Sequence, residues 1–387
     1  MALALLILGG VLTLIALHPF ASYPLTLAAF HRVHPRPALR ATPALHAEVA
    51  QTHTFSLCVC AYNEERVIRR KANNLLRLKE ALPGLEVLIY VDAATDRTVA
   101  RLAPFARDFK IHVGKTRRGK SYGMKHLVAS ATGSIIIFTD ANVMLDAGSI
   151  RNLGTHFSDP TIGCVCGHLL YTNAGDSATA QSGSLYWRLE ETIKRLEMRS
   201  GSVMGADGSL FAIRRALFQP PPDHIIDDMY VSFSILCKGY RVVQATDVHA
   251  YEESVTSPRE EFSRKQRIAC QALNAHRLLW PTLRRQEPLT LYKYISHKYL
   301  RWLSIYFLIA ADLCLLGGLL AAGWVESAAA FVTLQAVVAV MGGRYGIKPF
   351  STAWSFITAL AGAGLGLWHS LRGQRFQTWA PAASIRR

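Results

Sequence analysis

The uncharged stretches at the two ends of this chain constrain its fold more than any other feature. From Ala2 to Phe30 no residue carries a formal charge at neutral pH, a protonated His18 aside. Leu303 to Trp324 is apolar except for Asp312, and Phe350 to Leu371 is uncharged apart from His369. At ~1.5 Å of rise per residue, each is long enough to cross ~30 Å of hydrocarbon as a helix. Ser327 to Gly343 is shorter and fits a partial crossing as well as a full one. The N-terminal stretch lacks the basic start of a secretory signal, and no A-x-A site follows its apolar core, so it reads as an anchor. These segments predict an integral membrane protein with a polar block between them.

Composition narrows the partners. The 387 residues suffice for one large domain with additions, or for two domains. Lys and Arg number 43 against 27 Asp and Glu, a net charge of +16. Such a balance suits nucleic acid, anionic lipid or phosphorylated substrates. The basic residues lie mainly beside the apolar segments, and nucleic-acid binding leaves the acidic motifs below without a task. A lipid bilayer is therefore expected as a partner and nucleic acid is not. Seven scattered cysteines make no disulfide framework. The C-x-C pairs Cys58/Cys60 and Cys164/Cys166 raise a tetrathiolate zinc site, but each lies in a strand-like apolar run and lacks C-x₂₋₄-C spacing. Packing in a core is the better reading.

Along the chain we expect an anchor over 1–30, a cytosolic block over 50–281, an interfacial amphipathic helix over 288–301, a membrane region of two or three spans over 302–372, and a basic tail over 373–387. In the first half of the block, strands at Phe55–Ala61, Glu86–Val91, Lys110–Val113 and Ser134–Thr139 alternate with helices at Glu64–Leu82, Thr95–Arg107 and Ser121–Ala131. This alternation implies βαβ units and a mostly parallel sheet. The second half has a strand at Ile162–Tyr171, an amphipathic helix around Ser184–Met198 and a basic-faced helix at Pro258–Leu279. Tyr292–Arg301 is aromatic and basic, a composition suited to the bilayer interface. Arg32, Arg36 and Arg40 place the block in the cytosol by the positive-inside rule. Three further spans would then put Arg372, Arg375, Arg386 and Arg387 outside, which the same rule disfavours. Either Ser327–Gly343 does not cross fully or the N-terminal stretch is not one simple span. Asp312, inside a span, is paired with a neighbouring helix or lines a polar path for product.

Asp140 ends the apolar strand and is followed at two residues by Asn142. A carboxylate at the carboxyl end of a buried strand sits where open α/β sheets bind ligands. A hard cation takes oxygen ligands there and shares them with a diphosphate, although a solvated Asp is the bland alternative. Gly114 to Ser121 spells G-x-x-x-x-G-K-S after a strand and before a helix, as a phosphate loop does. That reading makes the chain an ATPase or kinase. Against it, Lys115, Arg117 and Arg118 crowd cations around amides meant for phosphate, the strand is third in the alternation, and the acidic motifs go unused. Ala61-Tyr62-Asn63-Glu64-Glu65 lies where a strand turns into a helix, and Asn63 or Glu64 would cap that helix in the bland reading. Asp92 lies at the same sheet edge as Asp140 if the strands are parallel. Asp227 and Asp228 open a helix, where they compensate its dipole or supply a general base.

The ordered set Ala-Tyr-Asn-Glu-Glu, Asp-x-x-Thr-Asp-Arg-Thr, Arg-Gly-Lys, Thr-Asp-Ala-Asn, Gly-x-Asp-Gly, Asp-Asp and Arg-x-x-Arg resembles family 2 glycosyltransferases. It is most similar to their membrane-embedded branch of hyaluronan, chitin and cellulose synthases, over about residues 55–280. The resemblance implies the GT-A fold, an α/β nucleotide-sugar-binding Rossmann-like domain with a mixed sheet, here flanked by transmembrane helices. It implies that Tyr62, Asn63 and Glu64 line the nucleoside pocket, that Asp92 contacts the uracil, and that Lys120 approaches the phosphates. By the same resemblance Asp140 and Asn142 hold Mg²⁺ or Mn²⁺, and Asp207 and Gly208 lie near the acceptor. Asp228, with Asp227 beside it, is the base, and Arg264 and Arg267 hold the departing diphosphate, a role that suits guanidinium groups. Two departures stand out. Asn142 replaces the second Asp of D-x-D, and Arg267 is followed by Ile268 where polymerising members carry Trp. The implied reaction is an inverting transfer from a UDP-sugar, glucose or N-acetylglucosamine, to a glycan or lipid-linked acceptor, with other synthase or export subunits as partners. A degenerate, non-catalytic subunit is the remaining alternative, alongside the ATPase using 114–121.

Overall fold

A computed structural model describes residues 1–33, 53–173, 175, 177–378, 381, 382 and 384. Arg36, Arg40, Arg386 and Arg387 lie outside the described residues. The uncharged N-terminal stretch forms two helices, α1 (Ala2–Leu17) and α2 (Ser22–Val33), bent by 67° at the break between them. The expected anchor is therefore not one straight span.

Behind it comes a single eight-stranded sheet. In its first half β1 (Phe55–Ala61), α3 (Ile68–Ala81), β2 (Glu86–Val91), α4 (Thr98–Leu102), β3 (Lys110–Val113), α5 (Lys120–Ser130) and β4 (Ile135–Asp140) alternate. All four strands are parallel. They read apolar throughout because both faces are covered. Leu57, Val59 and Ala61 of β1 enter one core with Ile135 and Ile137 of β4, while Cys58, Ile136 and Phe138 enter the other. Cys164 and Cys166 lie buried in that second core.

The second half supplies β5 (Met144–Leu145), α6 (Ser149–Thr155), β6 (Ile162–Tyr171), α7 (Ala178–Arg199), β7 (Leu210–Arg214), α8 (Asp227–Cys237) and β8 (Arg241–Glu252). The sheet order is β3-β2-β1-β4-β7-β6-β8-β5, with β7 antiparallel to both β4 and β6 and β8 parallel to β6. The sheet is thus mixed. Strand order reverses between β1 and β4, the place where open α/β sheets bind ligands, and Cys60 of β1 is in register with Asp140 of β4.

Two helices begin later than their sequence predicts, for local reasons. Glu64 and Glu65 give their backbone N–H groups to Thr98 Oγ1 (2.8 Å) and Asp96 Oδ2 (3.0 Å), so α3 starts only at Ile68. Asp96 also accepts from the Thr98 amide at 2.9 Å in the turn that leads into α4, and Pro104 falls where that helix tightens and stops.

The C-terminal part comprises α9 (Pro258–Leu283), α10 (Pro288–Tyr294), α11 (Leu300–Ala321), α12 (Val325–Val337) and α13 (Phe350–Leu371). α10 runs through the π turn Ile295–Tyr299 into α11 as one 34-residue helix, Pro288–Ala321. The separate interfacial helix over 288–301 is therefore replaced by the start of a longer one. Its Lys293, Tyr294 and His297 are buried: Lys293 donates to the carbonyls of Glu197 and Ser202, and His297 lies between the Glu190 and Glu197 carboxylates of α7. Among the described residues three helices are long and apolar enough to cross a membrane: Pro288–Ala321, Val325–Arg344 and Phe350–Leu371.

α13 crosses α9 at glycines. A Cβ at Gly362 would stand 3.1 Å from the Phe262 carbonyl oxygen, and one at Gly366 would collide with that of Gln266. The chain then folds back over the polar block. Gln271 Nε2 donates to the Phe376 carbonyl (2.6 Å) and Gln377 Nε2 to the Arg118 carbonyl (3.1 Å). Gly366→Leu should overpack this crossing, lowering stability by about 1–3 kcal/mol. Thermal unfolding in detergent checks it, with Gly10→Ala, which meets nothing within 4 Å inside α1, as the control that should not be destabilised.

Candidate active site

The acidic ends of β4 and α8 meet on one ammonium. Lys120 Nζ lies 2.8 Å from Asp140 Oδ1 and 3.1 Å from Asp227 Oδ2. Burial alone would lower the Lys120 pKa, but the charges of Asp140 and Asp227 outweigh it and leave it well above the ordinary lysine value. Lys120 opens α5 directly after Gly119, whose φ of +90° only glycine adopts easily.

Asp228 sits one residue on from Asp227 and accepts from its neighbouring Met229 amide at 2.6 Å. Burial, followed by the charge of Asp227, pushes Asp228 up to about 7. Gly208 makes room for this approach, since a Cβ there would stand 3.0 Å from Asp228 Oδ2 and 3.4 Å from Lys120 Nζ. The preceding Asp207 is tied into its own turn, accepting from the Ser209 amide at 2.9 Å.

These groups line one cavity of about 420 Å³. Of the residues singled out in the sequence, it brings together Glu64, Lys120, Asp140, Asn142, Asp207, Gly208, Asp227, Asp228, Arg264 and Arg267. Arg264 Nε is held by Glu261 Oε2 at 2.9 Å, and Arg267 donates to Gln271 Oε1 at 3.1 Å. Burial, then the charge of Arg264, lowers the Arg267 pKa, so an anion beside the two would be well met.

Tyr62, Asn63 and Asp92 stand beside the cavity and do not line it. Both carboxylate oxygens of Asp92 accept backbone N–H groups, from Arg118 and Gly119, at 2.8 Å each. The amides that a phosphate loop would turn to its ligand are thus filled by an internal carboxylate, a physical reason against the ATPase reading. Arg117 stacks over the Tyr62 ring at 3.7 Å. Asn63, at φ +50°, accepts from the Thr95 amide at 2.8 Å.

Sequence reasoning missed several groups around the site. Glu252, at the end of β8, accepts from Asn142 Nδ2 at 2.9 Å. Burial, then the charge of Asp140, raises Glu252 to about 7. Lys71 is fully buried, donating to the Val143 carbonyl at 2.6 Å, and burial lowers it to about 7. Its signal was present, for Lys71 lies at helical spacing on the stripe of Ile68, Leu75 and Leu78. Gln377 also lines the cavity, and nothing in its local sequence announces it.

Among the described residues no group of three His, Cys, Asp or Glu side chains is placed to hold a metal ion. What the site offers is a carboxylate pair, Asp140 and Glu252, with the Asn142 amide beside them. Glu252 is raised first by burial and then by the charge of Asp140, so a cation between the two carboxylates would be well met. Mg²⁺ and its like take one or two carboxylates and complete their shell with phosphates and water, so this donor set fits a divalent cation that arrives with a diphosphate.

Residues 56–220 match the family described as glycosyl transferase family 2. Among curated proteins the chain is similar to the O-antigen chain rhamnosyltransferase of Salmonella typhimurium, 25% identical over 203 residues, covering 50% of this chain and 65% of that protein. It is also similar to an N-acetylglucosaminyltransferase of Rhizobium meliloti, 23% identical over 225 residues and covering 53% of each. A third relative is the beta-monoglucosyldiacylglycerol synthase of a Nostoc species, 25% identical over 218 residues, 52% of this chain and 45% of that protein. The chain thus spans about half to two thirds of the length of these relatives. Among solved structures, a mannosyltransferase from Pyrobaculum calidifontis superposes with a TM-score of 0.72 at 21% identity, covering 96% of this chain and 99% of that one. The strand order, the acidic cavity at its switch point and the match over residues 56–220 agree: the chain carries a family 2 glycosyltransferase domain on a GT-A fold.

Proposed function

We propose that this chain is an inverting glycosyltransferase that moves a sugar from a nucleoside diphosphate to an acceptor hydroxyl at a membrane face. The observation that carries this reading is the Asp228 carboxyl, lifted to about 7 and set in the same cavity as Lys120 and Asp140. A base poised near neutral pH suits proton removal from a hydroxyl. The acceptor oxygen attacks the anomeric carbon, its proton passes to Asp228, and the bonding pair of the broken C–O bond leaves with the nucleoside diphosphate. Lys120, Arg264 and Arg267 face the charge that builds on the leaving group, and preorganised charge of this kind is usually the largest catalytic contribution. Single displacement turns an α-linked donor into a β-glycoside.

Asp140, with Asn142 and Glu252 beside it, would hold Mg²⁺ or Mn²⁺. When bound, the ion supplies further positive charge against the diphosphate. The Pyrobaculum enzyme, in complex with GDP-mannose and Mn²⁺, supports a sugar nucleotide and a divalent ion in this groove. UDP-glucose and UDP-N-acetylglucosamine are our first donors, on the resemblance to polymerising synthases. In this geometry Asp92 holds the loop that carries Lys120, and acts on the nucleotide through it.

The polar block belongs on the cytosolic side of the membrane, with Arg32 at the end of α2 beside it. The contacts of Phe376 and Gln377 bring the end of α13 back to the block. Both ends of the C-terminal region then lie on one face, so complete crossings between them are even in number. One of the three apolar helices does not cross fully, which removes the charge conflict of Arg372 and Arg375.

Release of nucleoside diphosphate by the full chain in detergent tests this reading, with a panel of UDP-sugars and GDP-mannose. One donor should support release, and Asp228→Asn should lower kcat by about 10²–10⁴-fold, the usual worth of a general base. Donor affinity should stay unchanged in that variant. No nucleotide binding by the wild type would sink the reading, and full turnover in Asp228→Asn would remove Asp228 as the base.

The pH dependence has a definite sign. The base works only when ionised, so kcat/KM should fall as pH drops through about 7 and level off above it. Asp228→Asn should lose this inflection. Chelation of divalent ions should abolish release, with activity restored by added Mg²⁺ or Mn²⁺.

A further inference from the structure

We infer that Lys71 is a positioning residue of the transfer site, holding the turn after β4 so that Asp140 and Asn142 meet the divalent ion. The inference rests on the transfer reading above and adds to it a residue that never touches substrate. Lys71 is 0% exposed and stands outside the lining of the cavity. Its Nζ donates to the Val143 carbonyl at 2.6 Å and to the Thr139 hydroxyl at 3.3 Å. Those two residues flank the turn that carries Asp140 and Asn142. The Val143 amide closes the same turn by donating to the Asp140 carbonyl at 3.3 Å. One ammonium thus grips both feet of the turn from the α3 side.

The pleat of β4 turns that grip into aim. Successive side chains of a strand point to opposite faces. Ile135 and Ile137 enter one core, while Ile136 and Phe138 enter the other. Thr139 continues the first series and Asp140 the second. α3 packs into the first core through Ile68, Ala72, Leu75 and Leu78, and α5 into the second through Met124 and Leu127. Lys71 and Lys120 therefore meet the end of β4 from opposite faces of the sheet. Lys71 takes the hydroxyl of Thr139 and Lys120 the carboxylate of Asp140. With Thr139 fastened on the α3 side, Asp140 is left directed at the cavity.

Stability is a poor reason for a lysine here. Sealed from water beside a hydroxyl and a carbonyl, its ammonium loses hydration and gains no opposite charge in contact. Burial lowers its pKa, and the charge of Asp140 acts against that fall. Asn74, one turn further along the same helix, offers the contrast. Its amide exchanges two hydrogen bonds with the Leu145 backbone, at 2.7 and 3.0 Å, and fastens β5 with no charge at all. Groups behind a metal ligand fix its orientation, and a metal site tolerates only about 0.5 Å of error. Asn142 brings no charge to the ion, so this site depends on placement more than on attraction.

Mn²⁺ binding tests this apart from turnover. Electron paramagnetic resonance reads free Mn²⁺ in titrations of the full chain in detergent, with excess UDP and, separately, excess GDP. Lys71→Met should weaken Mn²⁺ binding by about tenfold or more, the usual effect of losing a group that orients a metal ligand. Thr139→Val removes one partner of the ammonium and keeps the shape, and should weaken it by about threefold. Asn74→Ala loosens β5 and should stay within about twofold of the wild type. In nucleoside diphosphate release, Lys71→Met should need about tenfold more Mn²⁺ for half its maximal rate. Its rate should recover at saturating Mn²⁺, which a damaged fold would not allow. Wild-type affinity in Lys71→Met would overturn the proposal, as would an equal loss in Asn74→Ala. Tighter binding in Lys71→Met would overturn it too, by showing the ammonium opposing the ion. Should Lys71→Met fail to fold, Thr139→Val decides, and unchanged affinity there overturns the proposal. A wild type that binds neither nucleotide would strike the transfer reading and this proposal together, whereas failure in the variants alone strikes only this one.

Discussion

One ammonium group holds the two halves of the sheet to a common purpose. Lys120 reaches from the start of α5 to Asp140 on a parallel strand and to Asp227 on a helix from the mixed half. Without that cation, three carboxylates would face one another in a half-buried cavity, where like charges repel far more than in water. Its position depends in turn on Asp92, which fixes the amides of Arg118 and Gly119. The chain therefore uses one acidic residue to place a lysine and two more to charge it. Arg267 lines the same cavity as this cluster.

The parallel half of the sheet was legible because its strands are apolar on both faces and separated by amphipathic helices. Helix starts were less so. Thr98 and Asp96 decide where α3 and α4 begin, and their partners are backbone groups about thirty residues away. Much of the site could be named because catalytic residues collect at strand ends, and strand ends show in a sequence. Asp92 marks the limit of that logic. A carboxylate at a strand end can turn to ligand or to backbone, and only the loop geometry decides. Glu190 and Arg301, 111 residues apart, carry no motif that would pair them.

The segment around Tyr292–Arg301 shows how composition alone misleads. Aromatic rings beside lysine and arginine suit a bilayer interface, and they equally suit a protein pocket that must be greasy at one end and charged at the other. The carboxylates of α7 settle the matter, since Glu190 and Glu197 gather Lys298, Arg301 and His297 inward. A helix that would have rested on lipid becomes a wall between the membrane region and the reaction cavity.

The return of the chain from α13 to the Gly119 loop has a consequence for the order in which this enzyme comes into being. Gln377 and Arg118 are 259 residues apart, and their hydrogen bond holds Gln377 in the rim of the cavity. Contacts between such distant residues are the slow ones in folding, because the entropy of closing the loop is lost before any contact rewards it. During synthesis the sheet can form long before the last apolar helix is made. The cavity gains its rim only once that helix has been delivered to its place against α9. A chain whose last apolar helix has not yet docked holds the carboxylates of Asp140, Asp227 and Asp228 in a cavity that still lacks Gln377 in its wall.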